Sequence, residues 1–481
     1  MAKAGWEVAV FEKHSDPGGR ARKLTTEGFT FDMGPSWYWM PDVFDNFFRS
    51  FGKKTGDYYQ LTRLDPSYRV YWSAEKMDVP ANYDSIKGQF EQVEKGSGNQ
   101  LDHFLNEARF KYILGMNKLV FSPGLSISEF LDWALVKGIF KLHVFRSIKA
   151  HICKFFKNPR LRQILEFPSL FLGALPGKTP ALYSLMNYAD IKLGTWYPEG
   201  GICNVAIGIF ELAKSLGVRF YFSHDVTAIN IENGMAKSIT VLDKTKNKTF
   251  QQVANIIIGA ADYQFIETKL LPQLYQSYSR KYWDSRKMAP SAFLYYIGLN
   301  KKVKGVLHHS LFFDESFDQH ASDIYLSPKW PGKPLFYVCT PSVTDSTVAP
   351  EGCENLFFLI PVSAGLSGDS IEKRDEYFDQ ILTRFEKLTG ENIRNSIVYR
   401  KTFGPNDFIS EYNAFKGNAY GLANTLLQTA IFKPSCRSKK VSNLFYTGQL
   451  TVPGPGVPPA LISGEVVAGV AIKYFENANR K

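Results

Sequence analysis

A short apolar run that ends in a carboxylate, close to the N-terminus, constrains the fold of this chain more than any other feature. Residues 7–11 are Glu-Val-Ala-Val-Phe, and Glu12 follows directly. A short, mostly apolar run of this kind predicts a buried strand of a parallel sheet. In a dinucleotide-binding unit, the acidic residue at the end of the second strand hydrogen-bonds the adenosine ribose. The run therefore predicts an α/β fold with a nucleotide site.

The glycine-rich loop that accompanies such a strand is not found at the required spacing. The acidic residue follows the start of a G-x-G-x-x-G loop by about 20 residues, and that position falls before Met1. The segment 454–459, Gly-Pro-Gly-Val-Pro-Pro, follows a different strand and has proline in place of the third glycine, so we interpret it as a turn. We therefore expect the chain to begin inside the nucleotide-binding unit, with the first strand and the G-x-G-x-x-G loop missing.

Length and cysteine content exclude several classes of protein. With 481 residues the chain has room for roughly two or three domains and a large core. Its five cysteines are odd in number and widely separated, which argues against a disulfide scaffold and favours a reducing, cytosolic compartment. The longest uncharged run, 441–464, is interrupted by prolines and glycines, whereas a membrane span needs about 20 apolar residues. We expect a soluble or peripheral protein.

Most of the formal charge of +11 lies in one acid-free segment, residues 133–165. Its eight basic residues are Lys137, Lys141, Arg146, Lys149, Lys154, Lys157, Arg160 and Arg162. Apolar residues at helical spacing predict a helix over 144–157 whose apolar face contains Val144, Phe145, Ile148, Ile152, Phe155 and Phe156. A basic amphipathic helix is typical of a membrane interface, although a surface helix packed on its own domain has the same pattern. No nucleic-acid-binding module is recognisable, so nucleic acid is not an expected partner.

Two further stretches, 197–262 and 443–475, alternate strand-like runs with helical patterns. In the first of them, a helix is predicted near 204–216 and strands over 218–222, 226–231, 238–242 and 253–258. Together with the N-terminal strand, these pieces predict one discontinuous nucleotide-binding domain of residues 1–60, 194–265 and 440–481. Residues 61–193 and 266–439 are expected to form a second, mixed α+β lobe for the substrate and the membrane.

A glycine-arginine motif, residues 17–22, follows Glu12 closely and reads Pro-Gly-Gly-Arg-Ala-Arg. Two glycines let backbone amides approach a phosphate, and a guanidinium donates paired hydrogen bonds to phosphate or flavin oxygens. As an isolated string the motif is also typical of an ordinary turn. Its position just after a strand that ends in Glu, with Phe31-Asp32-Met33-Gly34-Pro35 further on, makes it much more specific.

Several longer strings follow in a fixed order along the chain. They occupy residues 12–35, 196–201, 260–262, 342–346, 349–353, 413–419 and 443–464. In these strings the chain resembles the bacterial-type phytoene desaturases, the carotenoid desaturase branch of the flavin amine-oxidase-like proteins. The resemblance covers essentially the whole length, and the strings are too long and too well ordered to be explained by chance.

The resemblance implies a Rossmann-like FAD-binding domain and an FAD-dependent desaturation of phytoene, a C40 polyene, in successive steps toward neurosporene or lycopene. It implies hydride transfer to the flavin, with oxygen or quinone as the electron acceptor. It also implies a cytoplasmic protein, peripheral to the inner face of the cell membrane. Since the polyene is insoluble in water, the basic segment 133–165 is the expected membrane contact.

The resemblance also implies the residues of the cofactor site. They are Glu12 at the adenosine ribose, Gly18, Gly19, Arg20 and Arg22 at the pyrophosphate and flavin, Gly34 and Pro35 near the isoalloxazine, Val226 at the adenine, Gly448 and Gln449 at the ribityl-phosphate, and Gly456, Val457 and Pro458 at the start of the last helix. This last assignment has an independent reason, because a reduced flavin is anionic at its N1/C2 edge and the positive end of a helix stabilises such a charge. Many flavin-binding relatives have an acidic residue where this chain has Gln449.

A proton acceptor for the reaction is harder to identify. Glu129 and Asp132 lie three residues apart on a predicted helix, so they are candidates to share one face and one proton. Two carboxylates on a helix are more often simply solvated. The pair His308-His309 has no third ligand at a suitable spacing, so it predicts a loop and no metal site.

Two other functions are consistent with the sequence. The first is a related carotenoid desaturase or isomerase that acts on a modified C40 substrate, since nothing in the motifs separates these enzymes. The second is an inactive carotenoid-binding remnant, because without the phosphate loop the pyrophosphate loses its main anion site.

Overall fold

Strands and helices alternate through most of the chain in the computed structural model, which describes residues 1–126, 129 and 142–479. The strands are β1 Ala9–Glu12, β2 Lys23–Thr26, β3 Phe29–Asp32, β4 Leu61–Arg63, β5 Tyr68–Tyr71, β6 Lys76–Val79, β7 Trp196–Pro198, β8 Arg219–Phe222, β9 His224–Glu232, β10 Met235–Asp243, β11 Lys248–Val253, β12 Ile257–Gly259, β13 Ser291–Leu299, β14 His309–Phe312, β15 Phe336–Cys339, β16 Glu354–Val362, β17 Ile397–Phe403 and β18 Leu444–Tyr446. The α-helices in the described ranges are Pro41–Ser50, Tyr83–Val93, Ser97–Leu114, Ile148–Phe155, Pro159–Glu166, Leu185–Tyr188, Cys203–Ser215, Tyr263–Phe265, Arg280–Asp284, Phe317–Tyr325, Ile371–Thr389, Pro405–Tyr412 and Val457–Asn479. The predicted mixed α/β architecture is confirmed.

The apolar run near the N-terminus forms β1, and Glu12 is its last residue. β1 pairs in parallel with β8, with Glu12 opposite Phe222, and the ring of Phe11 stacks on Tyr221 at 4.9 Å. The expectation that the first strand is missing is not supported, because the structure has β1 at the start of the chain, hydrogen-bonded to β8.

The middle of the chain contains a β9-β10-β11 meander and a parallel pair, β12 with β18. The single strand predicted over 253–258 is wrong, because β11 ends at Val253 and β12 begins at Ile257. Asn443 explains the interruption. Its side chain donates to the carbonyl oxygen of Asn255 at 2.8 Å, and its own carbonyl oxygen accepts from the backbone N–H of Ile257.

A seven-stranded sheet in the order β17-β13-β16-β15-β14-β5-β6 is the largest sheet in the described part of the chain. Neighbouring strands are antiparallel except for β5 and β14. Every residue of β13 is buried, since the helix Ile371–Thr389 covers one face of the sheet and a second apolar cluster covers the other. The seven strands all lie within residues 61–193 and 266–439, while the division into two domains stays a prediction.

The basic segment does not form the single helix that was predicted over 144–157. The helix begins at Ile148, because the Ser147 side chain accepts a hydrogen bond from the backbone N–H of Ala150 and caps the helix there. A second helix starts at Pro159 and is capped by Asn158. Residues 133–141 lie outside the described residues.

Three of the six residues predicted on the apolar face pack into the protein. Ile148, Ile152 and Phe156 are fully buried, and Phe156 makes edge contacts with the rings of Phe90 and Phe104. These three side chains are not available to a bilayer, while Phe145, also predicted on this face, is 85% exposed. The membrane contact of the segment stays a prediction.

The exposed side of the same segment contains both cations and one aromatic ring. Phe145 is 85% exposed, and Lys154 and Lys157 are exposed as well. Lys149 is paired with Asp318 at 2.7 Å. Among the helices of the described ranges, none combines the length and the apolar character that crossing a membrane requires.

Candidate functional site

The glycine-arginine motif forms a tight turn whose arginine contacts the distant 418–419 segment. Gly18 has φ 109°, and a short 3-10 helix, Gly19–Ala21, follows it. The guanidinium of Arg20 donates to the carbonyl oxygens of Asn418 at 2.7 Å and Ala419 at 3.2 Å. Burial lowers the pKa of Arg20, and the nearby carboxylate of Asp262 opposes this shift. The turn is thus fixed to a segment about 400 residues away in sequence.

The second arginine of the motif connects the turn to the end of β1. Arg22 forms an ion pair with Glu411 at 2.7 Å, and its guanidinium also lies 2.7 Å from Nδ1 of His14. The carboxylate of Glu12 accepts a hydrogen bond from the backbone N–H of His14 at 2.9 Å. His14 therefore joins the carboxylate predicted at the ribose to the arginine predicted at the pyrophosphate.

Gly34 packs directly on this turn. A Cβ at Gly34 would lie only 2.7 Å from the carbonyl oxygen of Arg20, so the close approach requires glycine. After Pro35, the hydroxyl of Ser36 lies 2.9 Å from that of Tyr337. The 34–36 segment therefore crosses from the glycine-arginine turn to the seven-stranded sheet.

Gly448 and Gln449 meet the same turn from the C-terminal part of the chain. The side-chain amide of Gln449 contacts Oδ1 of Asn418 at 2.9 Å, next to the carbonyl that accepts from Arg20. The backbone N–H of Gly448 donates to the hydroxyl of Ser463 in the last helix at 3.0 Å. The structure therefore brings Arg20, Gly34 and Gln449 together, although Asn418, which connects two of them, was not predicted.

The turn at 456–458 opens the last helix, as predicted. Gly456 has φ 117°, and its carbonyl oxygen accepts from the backbone N–H of Ala460 at 2.9 Å. Val457 and Pro458 line a small cavity together with Trp37, Tyr38, Trp39, Phe44, Ile202 and Val205. The helix runs for 23 residues from Val457, and the positive end of its dipole lies at this turn because the turn is its N-terminus.

Val226 lies on β9 opposite Val241 of β10, and it packs against the buried cluster that contains Tyr263 and Tyr446. Its predicted place at the adenine stays a prediction.

Asp32, a half-buried carboxylate that was not predicted as a site residue, joins strand β3 to the segment that follows Gly201. Asp32, at the end of β3, accepts hydrogen bonds from the backbone N–H groups of Ile202 at 2.8 Å and Cys203 at 2.9 Å. Burial raises the pKa of Asp32 to about 6, against the opposing effect of these amides. The carboxylate of Asp345 likewise accepts hydrogen bonds from the hydroxyl of Tyr197 and from the backbone N–H of Gly200. These contacts hold the segments near residues 32, 200 and 345 together.

The structure also fits a bound flavin on direct geometric grounds. Gly19 and Gly448 have no atom within 4 Å of the position that a Cβ would take, so the backbone is open to a ligand at both places. Within the described residues, Nζ of Lys433 and Oδ1 of Asn424 are buried without a hydrogen-bond partner, and both face Gly454. Buried polar atoms normally have partners, and a polar cofactor at the Gly454 turn would supply them.

The predicted proton acceptors are only partly within the described chain. The carboxylate of Glu129 accepts from the backbone N–H groups of Gly124 at 2.8 Å, Leu125 at 2.9 Å and Ser126 at 3.0 Å. Asp132 lies outside the described residues. The role of this pair therefore stays a prediction.

The histidine pair has a neighbour that sequence spacing did not reveal. Cys339 on β15 is the register partner of His309 on β14, and ligand atoms of His308, His309 and Cys339 lie within 4.8 Å of one another. Nδ1 of His309 contacts the hydroxyl of Tyr337 at 2.7 Å. Burial lowers the pKa of His308 to about 3, so this imidazole is neutral at pH 7. The argument that no third ligand is available is therefore wrong, because strand pairing supplies one.

A second group of metal-ligating side chains contains Glu107, His143 and His151. Nζ of Lys111, a fully buried lysine, lies 3.2 Å from Nε2 of His151. A cation this close to the imidazole opposes the binding of a metal ion there.

The fold is shared with solved structures of low sequence identity. An oxidoreductase from Methanosarcina mazei superposes with a TM-score of 0.59 at 14% identity, covering 98% of this chain and 95% of the other. Cyclohexylamine oxidase from Brevibacterium oxydans superposes with a TM-score of 0.56 at 14% identity, covering 98% and 94%. The fold, the site and the match of the chain to the flavin containing amine oxidoreductases together define an FAD-dependent oxidoreductase.

Sequence relatives identify the family. The family model of the flavin containing amine oxidoreductases matches residues 1–472. The chain is 40% identical to a carotenoid 3,4-desaturase of Haloarcula japonica over 98% of this chain and 94% of the relative. It is 30% identical to a zeta-carotene-forming phytoene desaturase of Myxococcus xanthus over 97% and 89%. The chain therefore belongs to the flavin-containing amine oxidoreductases and, within them, to the family of the carotenoid desaturases.

Proposed function

We propose that the chain is an FAD-dependent carotenoid desaturase that introduces C=C bonds into phytoene by hydride transfer to the flavin, in successive steps toward neurosporene or lycopene. The observation that carries this proposal is the similarity over nearly the full length to enzymes that are named for carotenoid desaturation. Asn418 connects Arg20 to Gln449, and Gly34 packs on Arg20, which supports a common binding site for the cofactor.

In this proposal the cofactor is held by side chains from both ends of the sequence. Glu12 and Val226 bind the adenosine, the turn 18–22 binds the pyrophosphate, and the segments 34–35, 448–449 and 456–458 surround the ring. Bound FAD supplies the acceptor for the hydride. The protein holds an apolar substrate against the ring and keeps water away, and the aromatic wall that includes Trp37 and Trp39 suits this task.

Glu129, with Asp132, is proposed as the acceptor of the proton that leaves with the hydride. The support is limited to placement, since the Glu129 carboxylate lies beside the 124–126 loop and Gly124 packs against Val452 near the helix-opening turn. The variant Glu129→Gln removes the basic oxygen and keeps part of the hydrogen bonding to the loop. We expect it to lower the rate of desaturation while FAD stays bound. A variant that retains the full rate would contradict this role.

Membrane contact is proposed through exposed groups and not through the buried face of the helix Ile148–Phe155. Large apolar side chains are exposed on two segments, 110–125 and 426–432, which adjoin where Gly124 packs on Ala430. They include Phe121, Leu125, Leu427 and Phe432. Phe145, Lys154 and Lys157 offer a further aromatic and two cations, each worth about 1 kcal/mol near an anionic surface. We propose that these groups hold the protein at the cytoplasmic face of the cell membrane.

Sedimentation with lipid vesicles tests this contact. Lys154→Glu with Lys157→Glu is expected to reduce binding to phosphatidylcholine vesicles that contain phosphatidylglycerol, with little effect on vesicles of phosphatidylcholine alone. A matched control, Lys244→Glu with Lys246→Glu on the β10–β11 turn, has the same charge change at a distant place. Equal loss in both double variants would show that net charge, and not this surface, determines binding.

A modified C40 carotenoid is the second candidate substrate. The observation in its favour is that the identity to a carotenoid 3,4-desaturase, 40%, exceeds the identity to the phytoene desaturase, 30%. The same FAD site would serve both substrates, so only turnover separates them. An isomerase acting on such a substrate, or a carotenoid-binding protein without activity, are outcomes of the same experiment.

The deciding assay uses the purified full chain, reconstituted with FAD, in liposomes that contain either phytoene or a more conjugated C40 carotenoid. Products are separated by chromatography, and runs in air are compared with anaerobic runs with an added quinone. We expect a yellow protein that converts phytoene to products of longer conjugation. Conversion of the conjugated substrate alone would favour the second candidate, and a colourless, inactive protein would overturn the enzymatic function.

A further inference from the structure

A lysine side chain is buried beside the turn that precedes the last helix. Lys433 is only 5% exposed, and its Nζ has no hydrogen-bond partner within the described ranges. A Cβ placed on Gly454 would lie 3.3 Å from Nζ of Lys433 and 3.3 Å from Oδ1 of Asn424, which is also buried and unpartnered. Because Gly454 has no side chain, the ammonium and the amide oxygen both reach the backbone of the turn.

Such an arrangement costs stability in the protein alone. Burying an ammonium without a counter-ion is expensive, and burial lowers the pKa of Lys433 to about 7, with no opposing effect from an acidic side chain of the described residues. The positive end of the 23-residue last helix lies two residues beyond Gly454, at Gly456. Two positive features therefore adjoin, and no acidic side chain of the described residues offsets the charge of Lys433.

A single anion at this turn would satisfy both features. The cofactor residues predicted at the start of the last helix, Gly456, Val457 and Pro458, belong to the same turn, and a reduced flavin is anionic at its N1/C2 edge. We propose that Lys433 is the buried cation of the flavin site, whose counter-ion is the negative charge of the reduced ring. This inference rests on the proposed placement of FAD at the 456–458 turn. Lys433 acts across Gly454 and is a positioning residue.

Lys433 differs from the neighbouring lysines in its burial and in its lack of a partner among the described residues. Lys440 donates to the carbonyl oxygen of Leu274, and Lys439 lies over the ring of Tyr278 at 4.3 Å, so both have partners at the protein surface. Lys473, on the last helix itself, is exposed. Among these lysines, Lys433 combines burial with the absence of a partner in the described residues.

Sulfite addition to the oxidised flavin measures the stabilisation of negative charge directly. The sulfur lone pair forms a bond to the flavin N5 atom, and the ring takes up the negative charge, so affinity for sulfite reports on nearby cations without any turnover. In the full chain reconstituted with FAD, Lys433→Met is expected to weaken sulfite binding at least tenfold. Lys433→Arg retains the charge and is expected to remain within about threefold of wild type. Lys473→Met, the matched control on the last helix, is expected to behave like wild type.

Thermal unfolding of the FAD-free protein gives a second, independent readout. Because Lys433 has no acidic partner among the described residues, replacing it with methionine removes a destabilising charge. Lys433→Met is therefore expected to raise the melting temperature of the apoprotein. A lysine with an ordinary structural role would show the opposite change.

The outcomes separate this inference from the function on which it rests. If all variants bind FAD and have the same affinity for sulfite, the role of Lys433 is overturned while the cofactor site stands. A lower melting temperature in apo Lys433→Met, together with unchanged sulfite affinity, also overturns it. If the wild-type chain takes up no FAD, the proposed cofactor placement fails and the inference fails with it.

Discussion

A buried carboxylate, Asp190, should make a measurable contribution to the pH dependence of stability. Its oxygens accept hydrogen bonds from the hydroxyls of Tyr68 at 2.9 Å and Thr195 at 3.1 Å, and Thr195 in turn accepts from the indole N–H of Trp39 at 2.8 Å. Asp190 is 3% exposed. Burial raises its pKa from 3.8 to about 7, because the hydrogen bonds and the nearby Arg63 only partly offset the loss of solvent.

The sign and size of the effect follow from this shift. Between pH 3.8 and about 7 the folded state binds the Asp190 proton and the unfolded state does not, so the free energy of unfolding falls as pH rises through this window. At 1.36 kcal/mol per pKa unit, the contribution of Asp190 decreases by roughly 2.5 kcal/mol between about pH 5 and about pH 8. Asp190→Asn mimics the protonated acid and has no such dependence.

Urea unfolding of wild type and Asp190→Asn at both pH values tests this reasoning. The difference between the two free energies of unfolding should shift in favour of the variant by roughly 2.5 kcal/mol from the lower to the higher pH. Other carboxyl groups contribute equally to both proteins and cancel. Asp84→Asn, a change at an exposed carboxylate on the helix Tyr83–Val93, is the control and should show no comparable shift. A wild-type–variant difference that stays constant within about 0.5 kcal/mol would refute the argument from burial.

Two further changes test the packing around the site and the sheet junction. Gly34→Ala places a Cβ 2.7 Å from the carbonyl oxygen of Arg20, so we expect loss of bound FAD, measured as flavin absorbance per protein. The control, Gly88→Ala, has no atom within 4 Å of the new Cβ and should retain FAD. Asn443→Ala removes three hydrogen bonds of 2.8 Å to the backbone of β10 and of the turn before β12. The free energy of unfolding in urea should therefore fall by about 3 kcal/mol, and a loss below about 1 kcal/mol would contradict this account.

Local patterns in the sequence predicted the elements well where one segment determines the outcome. The strand that ends at Glu12, the helix after Gly201 and the helix that opens at Gly456 all occur as the residues indicated. In each case the signal is local: apolar periodicity, a glycine with positive φ, or proline in the first helical turn. The helix start at Ile148 carried such a signal too, since Ser147 is a strong N-cap residue, but the apolar spacing from Val144 obscured it.

Contacts between distant segments could not be predicted from such local patterns. Asn418 connects Arg20 to Gln449, and Cys339 lies beside His309 only because β14 and β15 pair in one register. A single sequence does not record which strands pair, and a shift of one residue would turn Cys339 to the other face. The resemblance to a family located the segments of the cofactor site, but it did not indicate which side chains hold those segments together.

The effective charge of segment 133–165 could not be predicted from its own residues, because the fold brings carboxylates from other segments to it. The segment 133–165 has no acid of its own, but carboxylates from elsewhere reach its described part: Asp318 pairs with Lys149, Glu75 with Arg160, and Glu94 accepts from the backbone at Lys157. Each neutralised cation reduces the attraction to an anionic surface by about 1 kcal/mol. The proposed membrane contact therefore depends on fewer cations than the sequence contains, and we expect the exposed apolar side chains of 110–125 and 426–432 to supply more of the binding.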